Sequence, residues 1–291
     1  MVYAMESEPH SYGGETWNNA DFRMWYNLDL SFPEPATYFE NKMHLADLLS
    51  PPKVDFDNKE KSAHIAWVVS NCNAFNGREK YMKKLMDELQ VDSYGGCLKN
   101  KFSHPSEHMT GNIQLFSKYK FVIAIENSNC KDYVTEKLVH AVASGSIPIV
   151  AGRDGKPDYL RFMPKNSYIN IYDYKTINEA VARIKSIASN KTEYESFIHF
   201  KRTHNYTREQ LYKYSLTELI DLAKTIIDPN ETFFSELIAK EKSEDKLCKI
   251  GRYLKHTPKH LIAKEIAAKK INRPETSVAC LPAKNLANDF L

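Results

Sequence analysis

The stretch from Tyr119 to Gly155, YKFVIAIENSNCKDYVTEKLVHAVASGSIPIVAGRDG, restricts the fold more than any other part of this 291-residue chain. An apolar run, Phe121 to Ile125, ends at Glu126 and Asn127, and a polar loop leads to Asp132. There a helical pattern carrying Leu138, Val139, Ala141 and Val142 begins, and a second apolar run, Ile147 to Ala151, comes at once after it. Two short apolar runs joined by an amphipathic segment spell a βαβ unit. Runs without polar alternation suit strands covered on both faces, as in a parallel sheet. Gly145 stands where the helix needs a left-handed cap.

Open parallel sheets bind ligands at the carboxyl ends of their strands, opposite helix N-termini whose N–H groups attract anions. In this unit that edge carries Glu126, Asn127, Asp132, Tyr133, Glu136 and Lys137. A lysine in a first helical turn opposes the helix dipole, so an anionic partner is expected for it. A solvated first turn is the other reading of Glu136 and Lys137.

The strings ENSNCKDYVTEK and GSIPIVAG resemble the signature of the α1,3/1,4-fucosyltransferases, glycosyltransferase family 10. That signature is a FEN element, a DYVTEK or DYITEK element and a G-[ST]-[IV]-P-[IV] strand, in this order. The resemblance runs more thinly from about Tyr3 to about Cys248. It implies a GT-B fold of two Rossmann-like domains with GDP-β-L-fucose as donor. Family members carry strands and helices upstream of the point matched by Tyr3, so the N-terminal domain is expected to be incomplete here.

Composition limits the alternatives. Against 40 basic residues stand 37 acidic ones, and the net charge of +3 argues against a nucleic-acid partner. Hydrophobics at 42% and aromatics at 12% belong to a globular enzyme rather than a disordered chain. No run approaches the roughly 18 residues of a membrane span. The cysteines, at 72, 97, 130, 248 and 280, are odd in number and widely spaced, which predicts neither zinc nor a dense disulfide framework. There is no G-x-G-x-x-G after a strand and no P-loop.

In chain order, VYAMESEPHSYGG opens with Glu6, Glu8 and His10 before a glycine turn, the raw material of a general base or else a solvated loop. The resemblance matches Glu6 to the family's acceptor-side base, with Glu8 beside it as the competing carboxylate. The aromatics between Trp17 and Phe39 read mainly as core. Pro51 to Ser62 reads as a polar linker, and its Asp55-x-Asp57 as solvated carboxylates, so no metal site is expected.

Ala63 to Val69 is the next strand, and Arg78 to Leu89 a helix with Tyr81, Met82, Leu85, Met86 and Leu89 on one face. The resemblance places Asn71 and Arg78 at the donor, with Arg78 on the diphosphate, a task suited to paired guanidinium donors. An ordinary surface arginine is the alternative. Tyr94, in VDSYGG, stacks on the base or simply packs. Further on, Tyr168 to Tyr172 alternates as a strand, and capping boxes are predicted at Thr176 with Glu179, Thr192 with Glu195, and Thr207 with Gln210. From Glu241 the chain is lysine-rich, a solvated face or a basic amphipathic segment able to lie on a membrane surface.

The chain divides into three segments: 1–62, a partial acceptor-side domain and linker; 63–230, the donor domain; and 231–291, a basic helical extension. By the resemblance the chain is an inverting fucosyltransferase, moving fucose to a GlcNAc-containing glycan or glycoprotein in α1,3 or α1,4 linkage. Glu6 is the base. Asn71, Arg78, Tyr94, Glu126, Asn127, Tyr133, Glu136 and Lys137 hold the donor. No cofactor is expected beyond GDP-fucose as co-substrate. A nucleotide-sugar-binding protein without transfer, or a GT-B transferase for another sugar, is the alternative. The resemblance implies the Golgi lumen, through an anchor not present in this chain, with a soluble cytoplasmic protein as the alternative.

Overall fold

The structure, a computed structural model, describes residues 2–3, 6–7, 23–26, 48, 50–60, 64–102 and 108–203. The described residues fall in two compact units. One holds a pair of short parallel strands, β1 (Val2–Tyr3) and β2 (Arg23–Met24), and the aromatic pair Trp25 and Tyr26, whose ring centroids lie 4.5 Å apart.

The other unit is a five-stranded parallel sheet with its helices. Its strands are β3 (Ile65–Trp67), β4 (Val91–Ser93), β5 (Phe121–Ile123), β6 (Ile147–Val150) and β7 (Ile169–Asn170). They lie in the order β4-β3-β5-β6-β7, every neighbouring pair parallel. Phe121, Val122, Ile147 and Ile149 are fully buried, as strands covered on both faces require. Each such side chain contributes about 1.5–3 kcal/mol. The second strand in sequence sits outside the first, and the later ones run the other way. The order therefore reverses between β3 and β5, the switch point at which ligands of such sheets bind.

Helix α1 (Arg78–Glu88) lays Tyr81, Met82 and Leu85 on the sheet. Helix α2 (His108–Phe116) packs against α3 (Glu136–Ala143), and α4 (Ile177–Ser189) packs against both α1 and α5 (Lys191–Thr203). Right-handed crossovers from β3 toward β4 and from β5 toward β6 run in opposite directions, which puts α1 and α3 on opposite faces. Gly145 has φ +74°, the left-handed cap expected after α3.

Four sequence readings are corrected. Residues 51–60 are not a free linker but a strap packed on the sheet unit. Pro52 lies where a Cβ on Gly145 would come within 2.7 Å, Phe56 meets the Tyr194 ring at 5.2 Å, and buried Lys59 donates to the Ser117 carbonyl at 2.8 Å. Within the strap, Asp55 and Asp57 remain exposed, as read, with Arg202 and Lys191 as their surface ion-pair partners. Helix α5 is capped by Asn190, whose Oδ1 accepts from the Glu193 amide at 3.1 Å, not by Thr192, because α4 and α5 are separated by that residue alone. The strand expected over 168–172 covers only Ile169–Asn170, since the Asn170 side chain turns Ile171–Asp173 into a 3-10 helix. Finally, Cys72 and Cys97 form a disulfide, and Cys130 is disulfide-bonded too. The box at Thr176 is present, with the Glu179 amide donating to Thr176 Oγ1 at 3.2 Å. The box at Thr207, Glu8, His10 and the basic stretch beyond Glu241 lie outside the described residues.

Candidate active site

At the switch point β5 runs out into Ala124, Ile125 and Glu126, and the Glu126 carboxylate, 1% exposed, is the hub of the site. It reaches nine residues ahead to the start of α3. There it accepts from the Thr135 amide at 2.8 Å and from Thr135 Oγ1 at 3.0 and 2.8 Å. Thr135 holds the N-cap position but its own hydroxyl makes no cap bond, so the buried glutamate satisfies the helix start instead. Lys137 Nζ closes the arrangement, 3.1 Å from Glu126, 3.0 Å from Glu136 and 2.7 Å from Thr135 Oγ1.

Burial pushes the Glu126 carboxyl above its ordinary range, with Lys137 opposing. Burial also disfavours the Lys137 ammonium, but Glu126 and Glu136 outweigh it and hold that group above its ordinary value. For Glu136 the desolvation is overcome by Lys137, and its carboxyl lies below the ordinary range. The side chain of Lys137 keeps 18% of its surface, so a charged and tightly held ammonium remains reachable at the mouth of the crevice.

Arg78, the first residue of α1, lies across the same point but is 1% exposed. It donates to the Ile125 carbonyl at 2.7 Å and the Asn71 carbonyl at 3.1 Å. These bonds use two of the five guanidinium N–H groups, one on each terminal nitrogen. Arg78 ties the loop after β3 to the end of β5, and its charge acts on Glu126 and Lys137 from beneath. Its Nε has no hydrogen-bond partner among the described residues, with Glu79 3.6 Å away.

The remaining sequence candidates divide. Tyr133 and Glu6 come together, the tyrosine hydroxyl donating to Glu6 Oε2 at 3.1 Å, and burial with the nearby Glu126 and Glu6 charges raises the phenol. Asn127 is buried beside Ser7 and Ser128, whose hydroxyls are 2.9 Å apart. Asn71 is exposed, its Oδ1 accepting from the Asn73 amide at 3.0 Å. Tyr94 is packed: its hydroxyl meets that of Tyr119, which in turn donates to Asp92 at 2.7 Å, so its polar tip points into the fold.

Of the other residues here, Asn76 was not singled out by sequence, and Asp132 was read only as part of the crevice edge, without its partner. Asn76 donates to the Glu126 carbonyl at 3.0 Å and to Asn129 Oδ1 at 2.7 Å. Asp132, at φ +60°, accepts from Arg161 Nη1 at 2.9 and 2.8 Å, which fixes the loop ahead of Tyr133. Only an asparagine in an unusually polar loop hinted at the first, and nothing local signals a partner 29 residues away. No cluster of potential metal ligands occurs among the described residues, and no helix there is long and apolar enough to cross a membrane.

The sequence matches the model of the family described as glycosyltransferase family 10 (fucosyltransferase) C-term over residues 58–269. It is 33% identical over 178 residues to GDP-fucose protein O-fucosyltransferase 3 of Gallus gallus, covering 58% of this chain and 37% of that one. It is 31% identical over 205 residues to glycoprotein 3-alpha-L-fucosyltransferase A of Drosophila melanogaster, covering 70% and 40%. The chain thus spans less than half the length of these curated relatives. Solved structures of an alpha1,3-fucosyltransferase share the fold. One with GDP-fucose has a TM-score of 0.53 at 21% identity over 68% of this chain and 65% of that one. One with GDP has 0.55 at 18% over 80% and 75%. The GT-B class read from the sequence holds, the parallel sheet being one Rossmann-like half of it.

Proposed function

This chain belongs to glycosyltransferase family 10, the fucosyltransferases, and on that premise we propose that it transfers fucose from GDP-β-L-fucose to a hydroxyl of a GlcNAc-containing glycan, with inversion, in α1,3 or α1,4 linkage. One observation carries this reading. A buried carboxylate at the switch point holds the Lys137 ammonium over the opening turn of a helix, with the Arg78 charge beneath it. That is where a nucleoside diphosphate is met in sheets of this order.

In the proposed reaction the acceptor oxygen attacks the anomeric carbon of fucose from the face opposite the diphosphate, and GDP leaves with the electrons of the broken bond. Glu6 takes the acceptor's proton, its carboxylate oriented by the Tyr133 hydroxyl. Lys137 stabilises the negative charge that grows on the diphosphate, and Glu136 accepts from sugar hydroxyls. The leaving group's charge is met by protein cations, so the proposal calls on no cofactor. The Cys72–Cys97 disulfide supports an oxidising compartment, in keeping with the Golgi lumen rather than the cytoplasm.

Lys137→Ala is the test. Removing a cation at a developing charge costs about 3 kcal/mol, roughly a hundredfold in turnover. A variant that keeps near wild-type transfer refutes the assignment. Wild-type protein that binds GDP by calorimetry yet forms no fucosylated product refutes transfer and leaves a binding protein. A second reading, a protein hydroxyl as acceptor, is favoured by the relatives that are named protein O-fucosyltransferases. Glycan and unglycosylated peptide acceptors, assayed side by side with GDP-fucose, separate the two.

A further inference from the structure

Helices α4 and α5 meet at Asn190-Lys191-Thr192, an N-x-T triplet and so an acceptor pattern for N-linked glycans. Its middle residue is a lysine, not the proline that would block the pattern. Two more triplets of this form, at Asn205 and Asn230, lie outside the described residues. All three residues of the first are exposed.

The two polar atoms of the Asn190 amide have separate tasks. Oδ1 accepts from the Glu193 amide at 3.1 Å and so starts α5, whereas Nδ2 makes no hydrogen bond among the described residues. N-glycosylation takes one hydrogen from Nδ2 and leaves the Oδ1 lone pairs untouched, so the bond that caps the helix survives the modification. The cap accounts for the asparagine alone. Thr192 does not cap α5, and its hydroxyl makes no hydrogen bond among the described residues, so the framework gives it no task. N-glycosylation does, because it needs a hydroxyl two residues after the amide.

The place in the fold leaves room for a bulky group. Ala188, two residues before Asn190, accepts from Lys120 Nζ at 2.7 Å, and Tyr194 donates to the Lys120 carbonyl at 3.1 Å. Lys120 directly precedes β5, so the corner between α4 and α5 sits where the strands begin. The crevice around Glu126 lies where they end. Lys120 to Glu126 is six residues of chain, roughly 20 Å when extended.

We propose that Asn190 carries an N-linked glycan, on the edge of the sheet opposite the reacting crevice. The inference rests on the lumenal reading drawn above from the Cys72–Cys97 bridge and adds a modified residue to it. The co-reactant is an oligosaccharide joined through a diphosphate to a lipid. Nδ2 attacks the anomeric carbon, the N–C bond forms as the C–O bond to the diphosphate breaks, and the lipid diphosphate leaves with the electron pair. The amide proton passes to a base of the transferring enzyme.

The test captures the protein by antibody from the cells that make it and treats its peptides, in heavy-oxygen water, with a peptide N-glycosidase that tolerates core fucose. Each glycosylated asparagine becomes a labelled aspartate. Label is expected at Asn190, lost in Thr192→Ala and kept in Thr192→Ser made in the same cells. Asn190→Asp, whose carboxylate still accepts from the Glu193 amide, is expected to lose the glycan while keeping the melting temperature, kcat and KM of the wild type. Label at Asn205 or Asn230 with a bare Asn190 overturns the site and leaves the lumenal reading standing. So does the absence of all label in protein whose Cys72 and Cys97 are found joined. No label together with free thiols at both cysteines removes the site and the lumenal reading alike. Transfer kinetics that change when the glycan is lost overturn its placement away from the crevice.

Discussion

Replacing Glu126 by Gln tests the centre of the site without changing its shape. The native carboxylate accepts three hydrogen bonds from Thr135 and pairs with Lys137 at 3.1 Å. A glutamine oxygen can still accept from the Thr135 amide, but its NH2 group then faces the Lys137 ammonium and Thr135 Oγ1, which itself accepts from Lys137 at 2.7 Å. Donor meets donor, and of its two carboxylate partners the ammonium keeps Glu136 alone. Breaking a buried pair by removing one charge costs about 3–5 kcal/mol, and the surviving Glu136 partner puts this case near 3. At about 2–4 °C per kcal/mol for a unit of this size, the melting temperature falls by roughly 6–12 °C. Hydrogen exchange at the Thr135 amide, the bond that starts α3, is expected to lose protection together with that fall. A melting temperature within about 2 °C of wild type, or an unchanged Thr135 amide, would refute the view that Glu126 organises the helix start.

Two further predictions concern the framework. Burial lowers Lys59 to about 7, despite opposition from Glu195 and Asp55, against about 10.5 when unfolded. Between those values the unfolded chain binds more protons, so stability rises with pH across the window by up to about 1.36 kcal/mol per unit. Lys59→Met is therefore expected to stabilise, by about 2 kcal/mol more at pH 7 than at pH 9; equal gains in urea unfolding at both values would contradict this. The Cys72–Cys97 bridge spans a sequence separation of 25, which corresponds to about 3–4 kcal/mol of loop-closure entropy. The paired change of both cysteines to Ser is expected to lower the melting temperature by about 10 °C, and an unchanged value counts against that.

What the sequence made legible was whatever is settled within one element or one loop. Phe121 to Ile125 and Ile147 to Ala151 read as strands because burial on both faces leaves no room for polar residues. Lys137 was expected near an anion because its place in a first helical turn is locally unfavourable, and the structure answers with two carboxylates. Features fixed by distant partners were invisible. The strap read as a linker because its charges look solvated, yet Lys59 finds the Ser117 carbonyl 58 residues away. Odd, scattered cysteines hid a bridge that forms only once the loops after β3 and β4 lie side by side.

Arg78 is the instructive case, because residue type suggested a phosphate ligand and the fold adds a structural role that sequence did not show. Two of its five N–H donors are fixed on the carbonyls of Asn71 and Ile125, which joins the ends of β3 and β5. Its charge nevertheless remains beneath Lys137 and lowers the cost of holding anionic Glu126 there. The crevice is thus built in two layers. A buried arginine joins the two loops of the switch point, and near it a lysine held by Glu126 and Glu136 keeps 18% of its side chain exposed, which is what the proposed diphosphate contact requires.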